Sequence, residues 1–137
     1  MNLGRAFLVW LVIICVESLH GVLRTLLLQP LVGDFRARQV AVFTGSALIL
    51  TIAYLLGPWL RVRNTKFLLG VGLLWVLWTV AFELALGRLV LDMSWQRILS
   101  DYDLLHGGLM VFGLAFLALS PLIAAKLREE RGQRRAA

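Results

Sequence analysis

The stretch Leu3–Leu28, LGRAFLVWLVIICVESLHGVLRTLLL, decides the class of fold, because it stays apolar for longer than an ordinary core helix needs. Crossing a hydrocarbon core of about 30 Å takes ~20 helical residues, and this run supplies them. Three more such runs follow, Val40–Leu60, Phe67–Val90 and Leu104–Leu127. Pro30, Pro58 and Pro121 fall at or near run ends, where a helix can stop. A segment surrounded by lipid has to satisfy its own backbone groups, so each run reads as a helix. Composition agrees: 60% of the residues are hydrophobic and 16% charged, against roughly half and about a quarter in soluble domains. The expected fold is all-α: a polytopic bundle of four transmembrane helices, at about 3–28, 40–60, 67–90 and 104–127, in one domain over 1–137 with a short basic tail, 128–137.

The first run has to be tested as a secretory signal. Arg5 and the apolar stretch Ala6–Val16 suit a signal, but no small-x-small cleavage site follows and the apolar character resumes through Leu28. The helix is therefore expected to be retained. Cys15 is the only cysteine, which excludes an intrachain disulfide. It reads as a small apolar helix residue.

A net charge of +6 invites a nucleic-acid reading, but the distribution of charge argues for topology instead. With four spans, nine basic residues share one side: Arg5, Arg61, Arg63, Lys66, Lys126, Arg128, Arg131, Arg134 and Arg135. The other side has five, Arg24, Arg36, Arg38, Arg88 and Arg97, with Asp34, Asp92, Asp101 and Asp103 among them. The positive-inside rule then places both termini in the cytoplasm. The tail KLREERGQRRAA reads as an anchor on anionic lipid headgroups, with no nucleic-acid partner. Twelve Arg against two Lys suit a GC-rich bacterial genome and hence a bacterial inner membrane.

The connections expected are Gln29–Gln39, Arg61–Lys66 and Leu91–Asp103. In the last, Ser94 is placed to cap a short interfacial helix between spans three and four, with Trp95, Ile98 and Leu99 toward lipid and Gln96, Arg97 and Ser100 toward water. The two halves also correspond in part, since Glu17 and Glu83 are each followed four residues later by glycine. The later spacings diverge.

The polar residues inside the spans carry the functional reading. Glu17, His20 and Arg24 are spaced i, i+3, i+7 and fall within about 60° of one another on one helix face. Counted at 1.5 Å per residue from Leu28, they lie about 16, 12 and 6 Å deep. Glu83 on the third helix is expected to point into the bundle beside Gly72, Val76, Thr79, Gly87 and Val90, with Trp75 and Trp78 off that face. Thr44, Ala47 and Thr51 make a mildly polar stripe on the second helix, and His106 opens the fourth. In size and in carrying a single glutamate in its first helix, the chain loosely resembles small four-helix multidrug exporters. The long third connection and Glu83 depart from that pattern, so no family is assigned.

Three uses compete for these groups. Charges in hydrocarbon cost ~2.5–3.5 kcal/mol each, so they pair or serve a function. A packing network of Glu17, His20, Arg24 and Glu83 is one use. A ligand or proton-relay site built from Glu17, His20, Arg24, Glu83 and His106 is the second. A metal site is the third and least favoured, on the Glu-x-x-His spacing of Glu17 and His20 and the Asp-x-x-His spacing of Asp103 and His106. Di-metal bundles take a carboxylate from each remaining helix, and Val40–Leu60 has none. No nucleophile triad, phosphate loop or dinucleotide glycine pattern appears, so no cofactor and no catalytic residue are expected. The reading leans away from an enzyme. It favours an outward-facing pocket for a small cationic or lipid-like ligand, with proton coupling. An accessory subunit of a larger membrane complex is the alternative. So small a bundle has little interior, so a homo-oligomer or a larger complex is expected under either.

Overall fold

The computed structural model describes residues 2–136 and, among them, contains helices and no strand. Four helices are long and apolar enough to cross a membrane: α1 Leu3–Val32, α2 Asp34–Leu60, α3 Thr65–Val90 and, fourth of these, α5 Met110–Ala136. Between α3 and α5 lies the short helix α4, Trp95–Ser100. Side-chain caps start three of them. Asn2 Oδ1 accepts from the Arg5 N–H at 3.2 Å, Asn64 Oδ1 from the Lys66 N–H at 2.8 Å, and Ser94 Oγ from the Arg97 N–H at 3.2 Å. Each cap satisfies one of the amide donors that a helix start leaves free. The cap at Ser94 is the one expected from the sequence.

The first connection differs most from expectation. It is not Gln29–Gln39 but Gly33 alone, with φ 88° and ψ 163°, a backbone state that strains any side chain. Residues 29–39 looked like a loop because they are polar, yet polarity does not prevent a helix. Pro30 lies at the start of a helical segment, where its missing N–H removes no bond. Asp34 suits the positive N-terminal end of α2 and pairs with Arg38 one turn on, at 3.2 Å. So α2 begins at Asp34, not Val40.

The last span is shifted as well. Leu104–His106 forms a 3-10 turn that Gly107 closes at φ 89°, and α5 starts only at Met110. Gly108 lies so close to the Ser100 and Asp101 carbonyls that a Cβ there would approach them to 2.4 and 2.6 Å. The turn is therefore pressed against the end of α4, and the helix starts later than Leu104. At its other end α5 runs through Ala136, so residues 128–136 continue the helix and do not form a separate tail. Ala137 lies outside the described residues.

Helix α5 packs against α2 and α3, and α1 against α2 and, more loosely, α3. Arg5 donates to the Trp59 carbonyl at 3.0 Å, and Arg128 to the Ala53 carbonyl at 3.2 Å, which puts the start of α1 and the ends of α2 and α5 at one end of the bundle. The opposite end holds the Gly33 corner and α4, and is called the corner end below. The core is biased away from that corner: the buried residues of α1 are Ala6, Val9, Trp10, Ile13 and Ile14, and nothing after Ile14 is buried. At its centre is Trp75, fully buried, whose Nε1 donates to the Ala6 carbonyl at 3.0 Å. Trp10 Nε1 donates to Thr79 Oγ1 at 2.9 Å, and its ring lies against Phe7, Trp78 and Phe82. Trp75 was expected off the packing face and is its middle. The α3–α5 crossing explains why: Gly72 admits the backbone of Ala118 so closely that α3 turns the residues beside Gly72 into the core. On α2 the buried stripe is Gly45, Ile49, Ala53, Gly57 and Leu60. Thr44, Ala47 and Thr51, the mildly polar stripe read from the sequence, are all exposed.

Pro58 lies in the last turn of α2, near its end as read from the sequence, whereas Pro121 lies well inside α5. Each lacks the N–H that would bond the carbonyl four residues earlier. Those carbonyls belong to Tyr54 and Leu117, and side chains serve both. Arg128 Nη1 donates to the Tyr54 carbonyl at 3.1 Å, and Ser120 Oγ to the Leu117 carbonyl at 2.7 Å. This yields a coupled prediction for thermal unfolding in detergent. Arg128→Ala should cost about 1–2 kcal/mol, and less once Pro58→Ala has returned an N–H to Tyr54. Equal costs in both backgrounds would count against the compensation.

Candidate functional site

The corner half of α1 is where the polar residues gather. His20 Nε2 and Thr44 Oγ1 of α2 hydrogen-bond at 2.7 Å. The other ring nitrogen, Nδ1, lies 3.7 Å from Glu17 Oε2, a charge contact too long to be a hydrogen bond. Glu17 rests on α2 where Gly45 leaves room: a Cβ at position 45 would stand 2.8 Å from Oε2. Glu17 Oε1 is buried and has no hydrogen-bond partner. The spacing of Glu17 and His20 thus does place them together, with Thr44 as a third member. Gly45 gave no signal in the sequence, because its role is an absence of side chain.

Across from them, Glu83 of α3 is exposed and makes no hydrogen bond or ion pair among the described residues. It is near enough to Glu17, Arg24, Asp101 and Tyr102 to feel or alter their charge. Arg24 is partly buried; its Nε has no partner and its guanidinium forms no ion pair of 4 Å or less among the described residues. A five-residue π-helical turn begins at Arg24 (Arg24–Leu28), and a second one, Leu86–Val90, follows Glu83 on α3. Such turns insert an extra residue per bond and often mark functional sites, because they re-aim side chains. Each follows an α-helical stretch of 21 residues. The two halves therefore match in backbone more clearly than in sequence. Glu17 and Glu83 stand at different distances from their π turns and are not equivalent positions.

Above this group a chain of ion pairs, Asp101–Arg38–Asp34–Arg97, lies across the corner end. Arg38 bonds both Asp34 and Asp101, and Arg97 bonds Asp34 at 3.2 Å. These pairs tie the start of α2 to α4. Arg97 therefore turns inward, where water was expected, and Ile98 is buried against Gly87. Trp95 and Leu99 are exposed, as expected. Asp101 is half-buried among these ion pairs. Burial pushes its carboxyl above the usual range, more strongly than Arg38, Arg97 and Arg24 pull it down, and Asp34 adds to the rise. In such a case the folded state holds the proton more tightly than the unfolded one. The stabilisation is then full below the ordinary carboxylate pKa and is lost as pH rises through the raised value. Asp101→Asn should flatten the dependence of Tm on pH just above the ordinary carboxylate range. An unchanged slope would remove Asp101 as its source.

His106, expected in the pocket, is not gathered with the others. Its side chain is 81% exposed and pairs with Asp103 at 2.6 Å. The Gly107–Gly108 turn, whose Gly107 carbonyl accepts from Gln39 Nε2 at 2.7 Å, holds this segment at the rim. The Glu17–His20 and Asp103–His106 pairs stay apart. Among the described residues no group of three or more His, Cys, Asp or Glu side chains comes together as metal ligands would. Two open hollows lie toward the other end: one of about 730 Å³ beside Asn2, Arg5 and Arg61, and an apolar one of about 570 Å³ between α1 and α2, lined by Val12, Cys15, Val16, Leu56 and Trp59 among others.

Compared with known protein families, with curated proteins and with solved structures, the chain matches none. The chemistry must be read from the site itself. Glu17, His20 and Thr44 form a row with two arrangements that differ by one proton. With Nδ1–H facing a Glu17 carboxylate, Thr44 donates to Nε2; uptake of a proton from outside gives Nε2–H donating to Thr44 and a protonated Glu17. Arg24 and Glu83 add a guanidinium and a carboxyl group, neither with a side-chain partner among the described residues.

Proposed function

We propose that this is a small integral protein of a bacterial inner membrane, with both termini cytoplasmic. It binds or moves a small cationic or lipid-like ligand through Glu17, His20, Arg24 and Glu83, and His20 exchanges a proton with Glu17. The observation that carries the reading is the lack of partners at these positions. A packing network would have tied Arg24 and Glu83 to neighbouring helices, yet neither makes a hydrogen bond or ion pair among the described residues. Charges at this depth cost ~2.5–3.5 kcal/mol each when left alone. They call for something the folded chain does not itself supply. Leucines exposed along the helices, among them Leu26, Leu27, Leu55 and Leu77, suit a lipid surround. The grouping of Arg5, Arg61 and Arg128 at one end supports the orientation.

Binding of tetraphenylphosphonium, a cationic amphiphile, to purified protein in detergent tests the site. Glu17→Gln and Glu83→Gln should each weaken binding by about tenfold or more, with Tm changed by only a few degrees. Loss of the fold in both variants, with no effect of the probe on the wild type, would return the cluster to a packing role. A C-terminal tag accessible from the periplasm would overturn the orientation. One observation favours a second reading, an accessory subunit of a larger complex: Glu83 is exposed on the side of the bundle, where another chain could cover it. Co-purification of a stoichiometric membrane partner that is lost with Glu83→Gln would support that reading over ligand binding.

A further inference from the structure

The unpaired groups carry both signs of charge, and that limits the ligand. Arg24 and Glu83 each lie about two turns from the corner end of their helix, Val32 and Val90, and so stand at about the same depth. They are within electrostatic range of each other, yet no ion pair closes between Arg24 and either glutamate among the described residues. A plain cation would satisfy Glu83 and leave the Arg24 guanidinium unpaired and repelling it. A plain anion would do the reverse. Only a ligand carrying both charges pairs everything, resting on the site proposed above.

We infer that the site takes a zwitterionic amphiphile with the chemistry of an aminophospholipid headgroup, its phosphate on Arg24 and its ammonium on Glu83. The planar fork of a guanidinium suits a phosphate, and an ammonium offers three donors to carboxylate oxygens. Glu17 Oε1, the buried acceptor without a partner, stands about 10 Å further in and is the next carboxylate along the face for an ammonium that moves inward. The source is lipid and not a soluble zwitterion, because Glu83 is open on the side of the bundle, where exposed apolar side chains border the polar group. Leu23, Leu27 and Val90 are all exposed there and offer acyl chains a surface. Toward the corner end α1 contributes no buried residue after Ile14, so entry between α1 and α3 there meets little packing.

Native mass spectrometry and tryptophan fluorescence of the detergent-purified chain test this with four probes: dioleoylphosphatidylethanolamine, dioleoylphosphatidylglycerol, the cationic lipid dioleoyl-trimethylammonium-propane, and soluble glycerophosphoethanolamine. Wild type should prefer the phosphatidylethanolamine by tenfold or more over each of the others. Arg24→Gln should lower it to the level of the cationic lipid, and Glu83→Gln to that of the phosphatidylglycerol. Equal binding of the two phospholipids by wild type, or an unchanged preference in both variants, would overturn the assignment. Equal binding of glycerophosphoethanolamine would overturn the lipid source. If a variant does not fold, the wild-type order among the four probes decides. Tetraphenylphosphonium binding that survives without any phosphatidylethanolamine preference would sink the zwitterion while leaving the underlying site intact; failure of every probe would remove both.

Discussion

Gly72→Val should be among the most damaging single changes in the chain. A Cβ at this position would lie 1.8 Å from the Ala118 carbonyl oxygen and 2.9 Å from its Cα. The obstruction is backbone on a partner helix, so no side chain can swing aside, and α3 and α5 would have to separate. Overpacking in a close-packed core costs about 1–3 kcal/mol when side chains can give, and more when they cannot. We expect at least about 3 kcal/mol here, seen as loss of the cooperative transition or a Tm lowered by ten degrees or more in detergent. Gly70→Val is the control, since nothing lies within 4 Å of its position. If the two variants unfold alike, helix propensity and not the crossing is responsible.

Trp75→Ala should come close to it. Trp75 is the largest fully buried side chain of the described residues and bridges α3 to the start of α1 through the Ala6 carbonyl. Large-to-small changes of this kind cost about 3–5 kcal/mol in soluble cores. Around a membrane bundle the loss is one of packing contacts and one hydrogen bond more than of transfer from water. Trp75→Phe separates the two contributions. It keeps most of the volume and removes the Nε1 donor, for an expected loss of about 0.5–1.5 kcal/mol. If the phenylalanine variant proves as unstable as the alanine one, the hydrogen bond matters more than the filled space. Wild-type stability in the alanine variant would mean that the core is not where Trp75 lies.

Much of the architecture is legible in the residues, for a physical reason. Long apolar runs can satisfy their backbones only as helices, so four long helices, the short basic connection before Thr65 and the cap at Ser94 follow from local chemistry. Helix ends are less legible where polarity and helicity disagree. Asp34, Arg38 and Gln39 read as loop because they are polar, and they are helix because they pair with one another and with the far side of the bundle. Helical phase is less legible still. An apolar helix offers little contrast between its faces, so the positions of Trp75 and of the buried stripe on α2 were set by glycines whose partners are distant in sequence. Within the site, Glu17 and His20 could be placed because they share a helix. Arg38, Asp101 and Gly45 depend on contacts between helices, and His106 was misplaced by a helix start read too early.

The one-residue corner at Gly33 also governs how the protein can move. With a single residue joining them, α1 and α2 have no slack, so neither can slide along the other by a helical turn. A swing of the whole of α1 about Gly33, the only described residue between the two helices, would pull Ala6 to Ile14 out of the core and break the Trp75–Ala6 bond, so only bending of its corner half is left. Beyond Ile14 no residue of α1 belongs to the core, and the His20–Thr44 bond with Glu17 against Gly45 is what holds this half to α2, while the first half of α1, α2, α5 and α3 are held together by the core and by close crossings. The bundle thus behaves as a rigid four-helix frame in which only the corner half of α1 can lean. That lean sets the gap between α1 and α3 at the depth of Arg24 and Glu83.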